Sequence, residues 1–240
     1  MINNKSVLAV VPARGGSKGI PLKNLQPVNG VPLVALVGRV LAALPEVDRA
    51  VVSTDHDEIA AVAEVAGIAA PFRRPDTLSG DRIGDIDVLI HALETCEKFD
   101  GVKYDIVLML QPTSPLRTSA DVRECLIKLV DGNWDAVWTV SETDSKNHPL
   151  KQLVLEADGV MDYYDPAGAN IIARQQLKPV YHRNGIAYAF TRDCILNQKT
   201  IKGARTAAVV IKGEHISIDT MWDLQLIEFI QSRKSSQSIK

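Results

Sequence analysis

The chain has 240 residues, 46% of them hydrophobic and 23% charged, with a formal net charge of -2. That balance fits a globular protein, gives no apolar run near the roughly 18 residues of a membrane span, and argues against a nucleic-acid-binding face, though not against a local basic pocket. Cys96, Cys125 and Cys194 are far apart and form no CxxC or Cys/His cluster, so neither a disulfide framework nor a zinc site is expected, and a reducing, cytoplasmic compartment fits.

Residues 7–11 are a near-continuous β-branched run, the pattern of a strand buried on both faces and too short for a signal-peptide core. From Pro32 the period changes. Leu33, Leu36, Val37, Val40, Leu41 and Leu44 recur at helical spacing behind a proline suited to a first turn. Residues 49–54 read as a second strand, after which Asp55 is expected to cap a helix with Glu58 as its capping-box partner. A short third strand is expected before Arg73. Ile86, Leu89, Ile90 and Leu93 mark another helix, and residues 104–110 a strong strand. Ser119 is the expected cap of a helix carrying Val122, Leu126 and Leu129, and residues 135–140 form the next strand. Strands alternating with amphipathic helices predict right-handed βαβ units: an α/β fold with a mostly parallel sheet and helices on both faces.

From about Ser141 to Val180 the pattern breaks into a polar stretch rich in Asp, Tyr and Pro. It reads as an excursion from the sheet, a hairpin suited to packing on a partner. Residues 184–190 resume a strand, and residues 207–211 and 215–219 predict two more. A helix from about Thr220 to Ser232 closes the fold, and the polar tail after it is expected to fray. Residues 1–240 thus read as one domain, with 141–182 as an excursion within it.

In an open α/β sheet, ligands sit beyond the carboxyl ends of the strands, so the loop after the first strand is the first candidate site. It reads PARGGSKGIPLKN, residues 12–24. It is not a Walker A loop, because Gly19 is followed by Ile20 rather than Lys. Nor is it the dinucleotide fingerprint, since Gly15 and Gly16 are adjacent and Ser17 stands where the second glycine belongs. A third arrangement is expected, in which Gly15 and Gly16 let consecutive N–H groups face one anion while Arg14, Lys18 and Lys23 supply charge. The plain alternative is a solvated basic turn.

This loop resembles the amino-terminal signature of the acylneuraminate cytidylyltransferases, the CMP-sialic acid synthetase family. The resemblance continues in order through VVSTD (51–55), RRPDTLSGD (73–81), LMLQPTSPLRT (108–118), HPLK (148–151), RQQLKPVYHRNG (174–185) and SIDTMWDL (217–224). It implies a Rossmann-like fold of the nucleotide-diphospho-sugar transferase type and a homodimer built through the excursion. The implied reaction is CTP plus an acidic nine-carbon sugar giving CMP-sugar and pyrophosphate, with Mg²⁺. By resemblance, Arg14 and Lys23 carry the charge of transfer. Ala13, Gly15, Gly16, Ser17, Lys18, Asn24, Arg74 and Asp85 surround the nucleotide. Gln111, Arg174, Gln175, Arg183 and Asn184 face the acceptor sugar, and Asp219 is the metal ligand.

Three positions depart from the family pattern. An Arg-x-Asn-Gly run is replaced by His182-Arg183-Asn184-Gly185, which displaces the arginine by one residue and, in a regular strand, reverses its direction. An Asp-x-Asp pair becomes Ser217 and Asp219, so one carboxylate is missing. Asp85 stands where relatives carry small hydroxyl residues; it would repel a phosphate but suits ribose hydroxyls. Asp223 reads either as support for the metal ligand or as a favourable first-turn carboxylate. Another acidic sugar, another nucleotide, or binding without turnover remain open from the sequence.

Overall fold

The structure is a computed structural model that describes residues 1–213 and 215–237. In chain order its elements are β1 (Val7–Pro12), β2 (Pro27–Val28), β3 (Val31–Pro32), α1 (Leu33–Leu41), β4 (Arg49–Ser53), α2 (Asp57–Val65), α3 (Asp85–Asp100) and β5 (Ile106–Met109). These are followed by α4 (Ser119–Asp131), β6 (Ala136–Glu142), β7 (Leu153–Leu155), β8 (Met161–Tyr163), β9 (Tyr181–Thr191), α5 (Arg192–Leu196), β10 (Thr206–Val210) and α6 (Met221–Gln237).

Six strands form one sheet in the order β10-β6-β9-β5-β1-β4. β1 pairs in parallel with β4 and β5, and β10 with β6, while β9 runs antiparallel between β5 and β6. The sheet is therefore mostly parallel, with one reversed strand. That reversal serves the site: the amino end of β9 arrives at the edge where β1, β4 and β5 finish.

β1 shows why its sequence is apolar throughout. Val7, Ala9 and Val11 pack on one face with residues of α1, α2 and α4; Leu8 and Val10 pack on the other with α3 and α5. Successive strand side chains point to opposite faces, so a strand covered twice has no position for a polar residue. A third cluster joins Ile20 of the opening loop to Val28, Leu33, Ile218, Leu224 and Ile227. Full burial of a side chain such as Ile20 contributes roughly 1.5–3 kcal/mol, enough to hold the loop against the segment before α6.

Several local expectations shift for identifiable reasons. The cap of α4 is Thr118, one residue before Ser119, because Thr118 and Asp121 make a reciprocal capping box. The expected third strand reduces to a single parallel bridge between Val51 and Ala69. Residues 215–219, expected as a strand, lie outside the sheet: the Ile218 N–H donates to the Thr113 carbonyl, and the Asp219 N–H to the Asp223 carboxylate. α6 continues to Gln237 rather than ending near Ser232, and residues 238–240 of the expected frayed tail lie outside the described residues. The excursion does hold a hairpin, β7–β8.

Candidate active site

Beyond the carboxyl ends of β1 and β5 lies a cavity of about 360 Å³, lined by Arg14, Ser17, Lys23, Asn24, Arg74, Asp85, Gln111, Ser217 and Asp219 among others. Residues from opposite ends of the chain therefore meet at one place, at the sheet edge where open α/β folds bind ligands.

The opening loop is pinned from several sides. Its Gly15 N–H donates to Asp55 Oδ1 at 2.8 Å, and the Asn24 amide donates to the Arg14 carbonyl at 2.9 Å. Asp55 is thus a loop anchor rather than a helix cap; His56 takes the cap position of α2 without a side-chain bond. Gly15 and Gly16 do not adopt positive φ, and the Gly15 donor is already engaged, so the expected pair of N–H groups aimed at one anion is not formed here. Close approach governs Gly19: a Cβ there would sit 2.6 Å from the Asp219 carbonyl oxygen. Leu22 is held in the left-handed region, at φ 46 and ψ 44, just before the 3₁₀ turn Lys23–Leu25. A non-glycine residue there costs about 1–2 kcal/mol, offset by the packing that fixes Lys23.

Lys23 Nζ donates to the Ile218 carbonyl at 2.9 Å and to Asp219 Oδ1 at 3.0 Å. Asp219 precedes α6 but does not cap it. That task falls to Thr220 and Asp223, whose Oδ2 accepts from the Asp219 N–H, the Thr220 N–H and the Thr220 hydroxyl. Burial pushes the Asp223 carboxyl up, but these hydrogen bonds outweigh it and hold it below its ordinary value. Asp223 is the first-turn carboxylate, and Asp219 is left exposed at the cavity.

Asp81 bridges two loop cations: Oδ1 lies 2.8 Å from Arg14 Nη1 and Oδ2 2.7 Å from Lys18 Nζ. The hydrogen bonds from Lys18 and then Arg14 hold its carboxyl below the usual range. Lys18 is otherwise an exposed side chain. Arg74 is buried, with its guanidinium on the Ser53 hydroxyl and carbonyl. Burial draws its pKa down, and the nearby Asp55 and Asp85 charges oppose that. Ala13 is fully buried, its N–H donating to the Ser53 carbonyl.

On the opposite wall, β6 and β9 lose register between Trp138–Tyr188 and Val140–Arg183 pairs. Two steps along β6 oppose five along β9, which is a bulge at residues 184–187. The bulge breaks the regular alternation of β9 at this point, and Arg183 stands beside the cavity rather than in its lining. Arg183 lies over the Trp138 ring, 5.4 Å from its centroid, with Nη1 3.9 Å from Asp85 Oδ2. His182 instead contacts Thr143 Oγ1 through Nδ1 at 3.0 Å. Asn184 is buried inside the bulge: Oδ1 accepts from Thr139 Oγ1 at 2.7 Å, and its amide donates to Ser141 Oγ at 3.1 Å. Its side chain holds the fold. Arg174 lies in a separate cavity of about 440 Å³ beside His148 and Lys178, and Gln175 is exposed on the excursion.

One residue escaped the sequence reading altogether. Arg117 is buried, and its Nη2 donates to the Gln111 and Gly185 carbonyls. Burial pulls its pKa down to about 9. Its only sequence signal is membership of the LMLQPTSPLRT run; nothing in residue type or spacing announces a link between two loops.

A mostly parallel α/β sheet with a polar cavity at its carboxyl edge, lined by Arg14, Lys23 and Arg74 and by Asp81, Asp85 and Asp219, defines the class of open α/β proteins that bind a ligand at the strand ends. Comparison with known proteins narrows this. A family model described as cytidylyltransferase matches residues 8–237, and the chain belongs to that family. It is 33% identical over 229 residues to the CMP-N,N'-diacetyllegionaminic acid synthase of Legionella pneumophila, covering 92% of this chain and 94% of that protein. It is 28% identical over 236 residues to the N-acylneuraminate cytidylyltransferase of Escherichia coli, covering 97% of this chain but 54% of that longer protein. Among solved structures, the fold matches a CMP:2-keto-3-deoxy-manno-octonic acid synthetase complexed with CTP, with a TM-score of 0.69, 18% identity, and coverage of 95% of this chain and 99% of that one. The resemblance seen in the motifs therefore holds over nearly the whole chain. Among the described residues no helix is long and apolar enough to cross a membrane.

Proposed function

We propose that this cytidylyltransferase transfers CMP from CTP to an acidic nine-carbon sugar of the sialic or legionaminic type, releasing pyrophosphate. The observation that carries the reading is the convergence of Arg14, Lys23, Asn24, Arg74, Gln111 and Asp219 on one cavity. The relatives named as sialic and legionaminic acid synthases point to the acceptor class.

The anomeric hydroxyl attacks the α-phosphorus, forming the new P–O bond as the bond to pyrophosphate breaks; the hydroxyl proton passes to solvent. Transfer of this kind depends mainly on positioning and on charge placed where charge develops. Lys23, held by Ile218 and Asp219, is a fixed cation for the triphosphate, and Arg14 is a second. Arg74 and Asp85 suit the base and ribose end. Gln111 and Arg183 suit the polar and carboxylate groups of the acceptor.

The donor set fits Mg²⁺. Asp219 is an exposed carboxylate with the Ser217 hydroxyl in the same cavity, and among the described residues no three His, Cys, Asp or Glu side chains are placed to hold a metal ion together. A cation that draws most ligands from phosphates and water needs no fuller protein cage. Asp219, with Ser217 beside it, would hold the ion, which supplies further positive charge at the phosphates when bound.

The reading extends to a homodimer of one-domain chains. The excursion exposes Leu155, Val160, Met161, Tyr164 and Ile172, an apolar surface of the kind that pairs with a second copy. Such pairing is also how Arg174 and Gln175, remote from the cavity of their own chain, would reach an acceptor in the partner. Three buried free cysteines are consistent with a cytoplasmic setting.

The test is pyrophosphate release from CTP across a panel of sialic, legionaminic, pseudaminic and Kdo-type acids, with Mg²⁺ or with EDTA. Release with an acidic nine-carbon sugar and Mg²⁺ supports the reading. No release with any acid on the panel overturns it.

A further inference from the structure

The loop after β5 and the bulge of β9 are joined by contacts that the substrate reading does not use. Arg117 Nη2 reaches the carbonyls of Gln111 and Gly185, the latter at 2.8 Å. Ser114 Oγ donates to the Asn184 carbonyl at 2.8 Å. Gly185, at φ +71, lies so close that a Cβ would stand 2.5 Å from Ser114 Oγ and 2.9 Å from Gln111 Oε1. The same loop accepts the Ile218 N–H on its Thr113 carbonyl, one residue before Asp219.

Arg117 is an expensive residue in this place. Its charge is buried, Nε has no hydrogen-bond partner, and no carboxylate stands within ion-pair distance of it among the described residues. A lone buried guanidinium bound only to carbonyls is a poor stabilising device. What it does achieve is geometric. One planar group fixes two carbonyls, one at the root of the Gln111 side chain and one two residues beyond Arg183.

We propose that Arg117 is a positioning residue for the acceptor. It holds the β5 loop and the β9 bulge at a set separation, so that the Gln111 amide and the Arg183 guanidinium face the sugar together. The idea rests on the acceptor reading given above. It assigns Arg117 no contact with substrate and a weaker influence on the nucleotide end, to which the joint connects only through the Ile218 N–H on Thr113 and through Asp85 beside Arg183.

The experiment compares wild type with Arg117→Lys and Ser114→Ala. CTP affinity is measured by calorimetry, acceptor KM and kcat by pyrophosphate release, and hydrogen exchange over residues 111–117, 183–186 and 14–24. Lysine keeps the charge and has donors enough, but it is shorter and lacks the planar group, so it cannot reach the same two carbonyls without moving the loop or the bulge. Ser114→Ala removes a single donor from the same joint, and serves if the lysine variant fails to fold. The expected result is acceptor KM raised about tenfold or more in Arg117→Lys, and in the same direction but less in Ser114→Ala. The Kd for CTP should change less than the acceptor KM, since Arg117 and Ser114 make no hydrogen bond to the opening loop or to Arg74. Exchange should rise together at 111–117 and 183–186 but not at 14–24. Unchanged acceptor KM in folded variants, or equal losses for CTP and acceptor, overturns the proposal. The exchange readout needs no sugar. Coupled exchange in a wild type that turns over no acidic sugar would retire the substrate assignment while supporting the joint.

Discussion

Lys23 Nζ lies 3.0 Å from Asp219 Oδ1 although 196 residues separate them, and the same ammonium also donates to the Ile218 carbonyl. The burial of Ile20 and Ile218 in one apolar cluster brings them together. The ion pair is therefore a consequence of packing, and it places the fixed cation of the opening loop beside an exposed carboxylate. Lys23→Met should lower kcat by about 10²–10³-fold, the range seen when one preorganised charge stabiliser is removed. Asp219→Asn should be impaired most at limiting Mg²⁺ and recover partly as Mg²⁺ is raised. Equal loss at all Mg²⁺ concentrations would remove Asp219 from the ion's site. Both are read by pyrophosphate release.

Asp81 occupies Arg14 and Lys18 in the way a phosphate would. On the proposed function, an incoming triphosphate competes with it. Asp81→Asn should therefore tighten CTP binding by about two- to fivefold, the scale of an exposed ion pair. The sign with pH follows from the carboxyl being held below its ordinary 3.8. The bridge is fully present above that value and is lost as pH falls through the lowered one. Between pH 6 and 8 the gain in affinity should therefore be constant. Calorimetric titration with CTP measures it, and weaker binding by Asp81→Asn would contradict the competition.

Gly185 and Asn184 test whether the β9 bulge is architectural. Gly185→Ala adds a Cβ to a left-handed residue and drives it against Ser114 and Gln111, so a loss of about 1–3 kcal/mol is expected. Asn184→Ala leaves the Ile186 N–H without its acceptor and Ser141 Oγ without its donor, while the Thr139 hydroxyl keeps the Ala187 carbonyl, for a loss of about 1–3 kcal/mol. Urea unfolding reads both. An Asn184→Ala protein of wild-type stability with a raised acceptor KM would show instead that its amide serves the sugar.

The elements of the sheet were legible because burial dictates their patterning. β1 is covered twice and so reads as apolar throughout, and α1 shows its core face at helical spacing. The convergence of Arg14, Lys23, Arg74, Gln111 and Asp219 was legible through a run of ordered motifs, not through spacing. What stayed hidden is set by tertiary hydrogen bonds. Asp55 looks like a helix cap because the local sequence offers it that role, yet the Gly15 N–H lies closer to hand. Residues 215–219 look like a strand but give their backbone donors to a loop and a side chain. Arg117 is invisible for the same reason: its partners are carbonyls, which every residue has.

The exposed excursion offers the last prediction. Leu155 and Ile172 are 74% and 94% exposed, and the partner of Leu155 across the hairpin, Met161, stays apolar, so replacing Leu155 and Ile172 with Glu removes little packing within one chain and sets no like charges opposite each other. The double variant should unfold at the same urea concentration as a wild-type monomer would. In sedimentation it should run as a monomer at concentrations where wild type runs as a dimer, because two buried charges facing their copies oppose association. If acceptor turnover falls with the dimer while CTP affinity stays, Arg174 and Gln175 act across the interface. A wild type that sediments as a monomer at working concentration would remove the dimer, and with it any role for those two residues at the cavity.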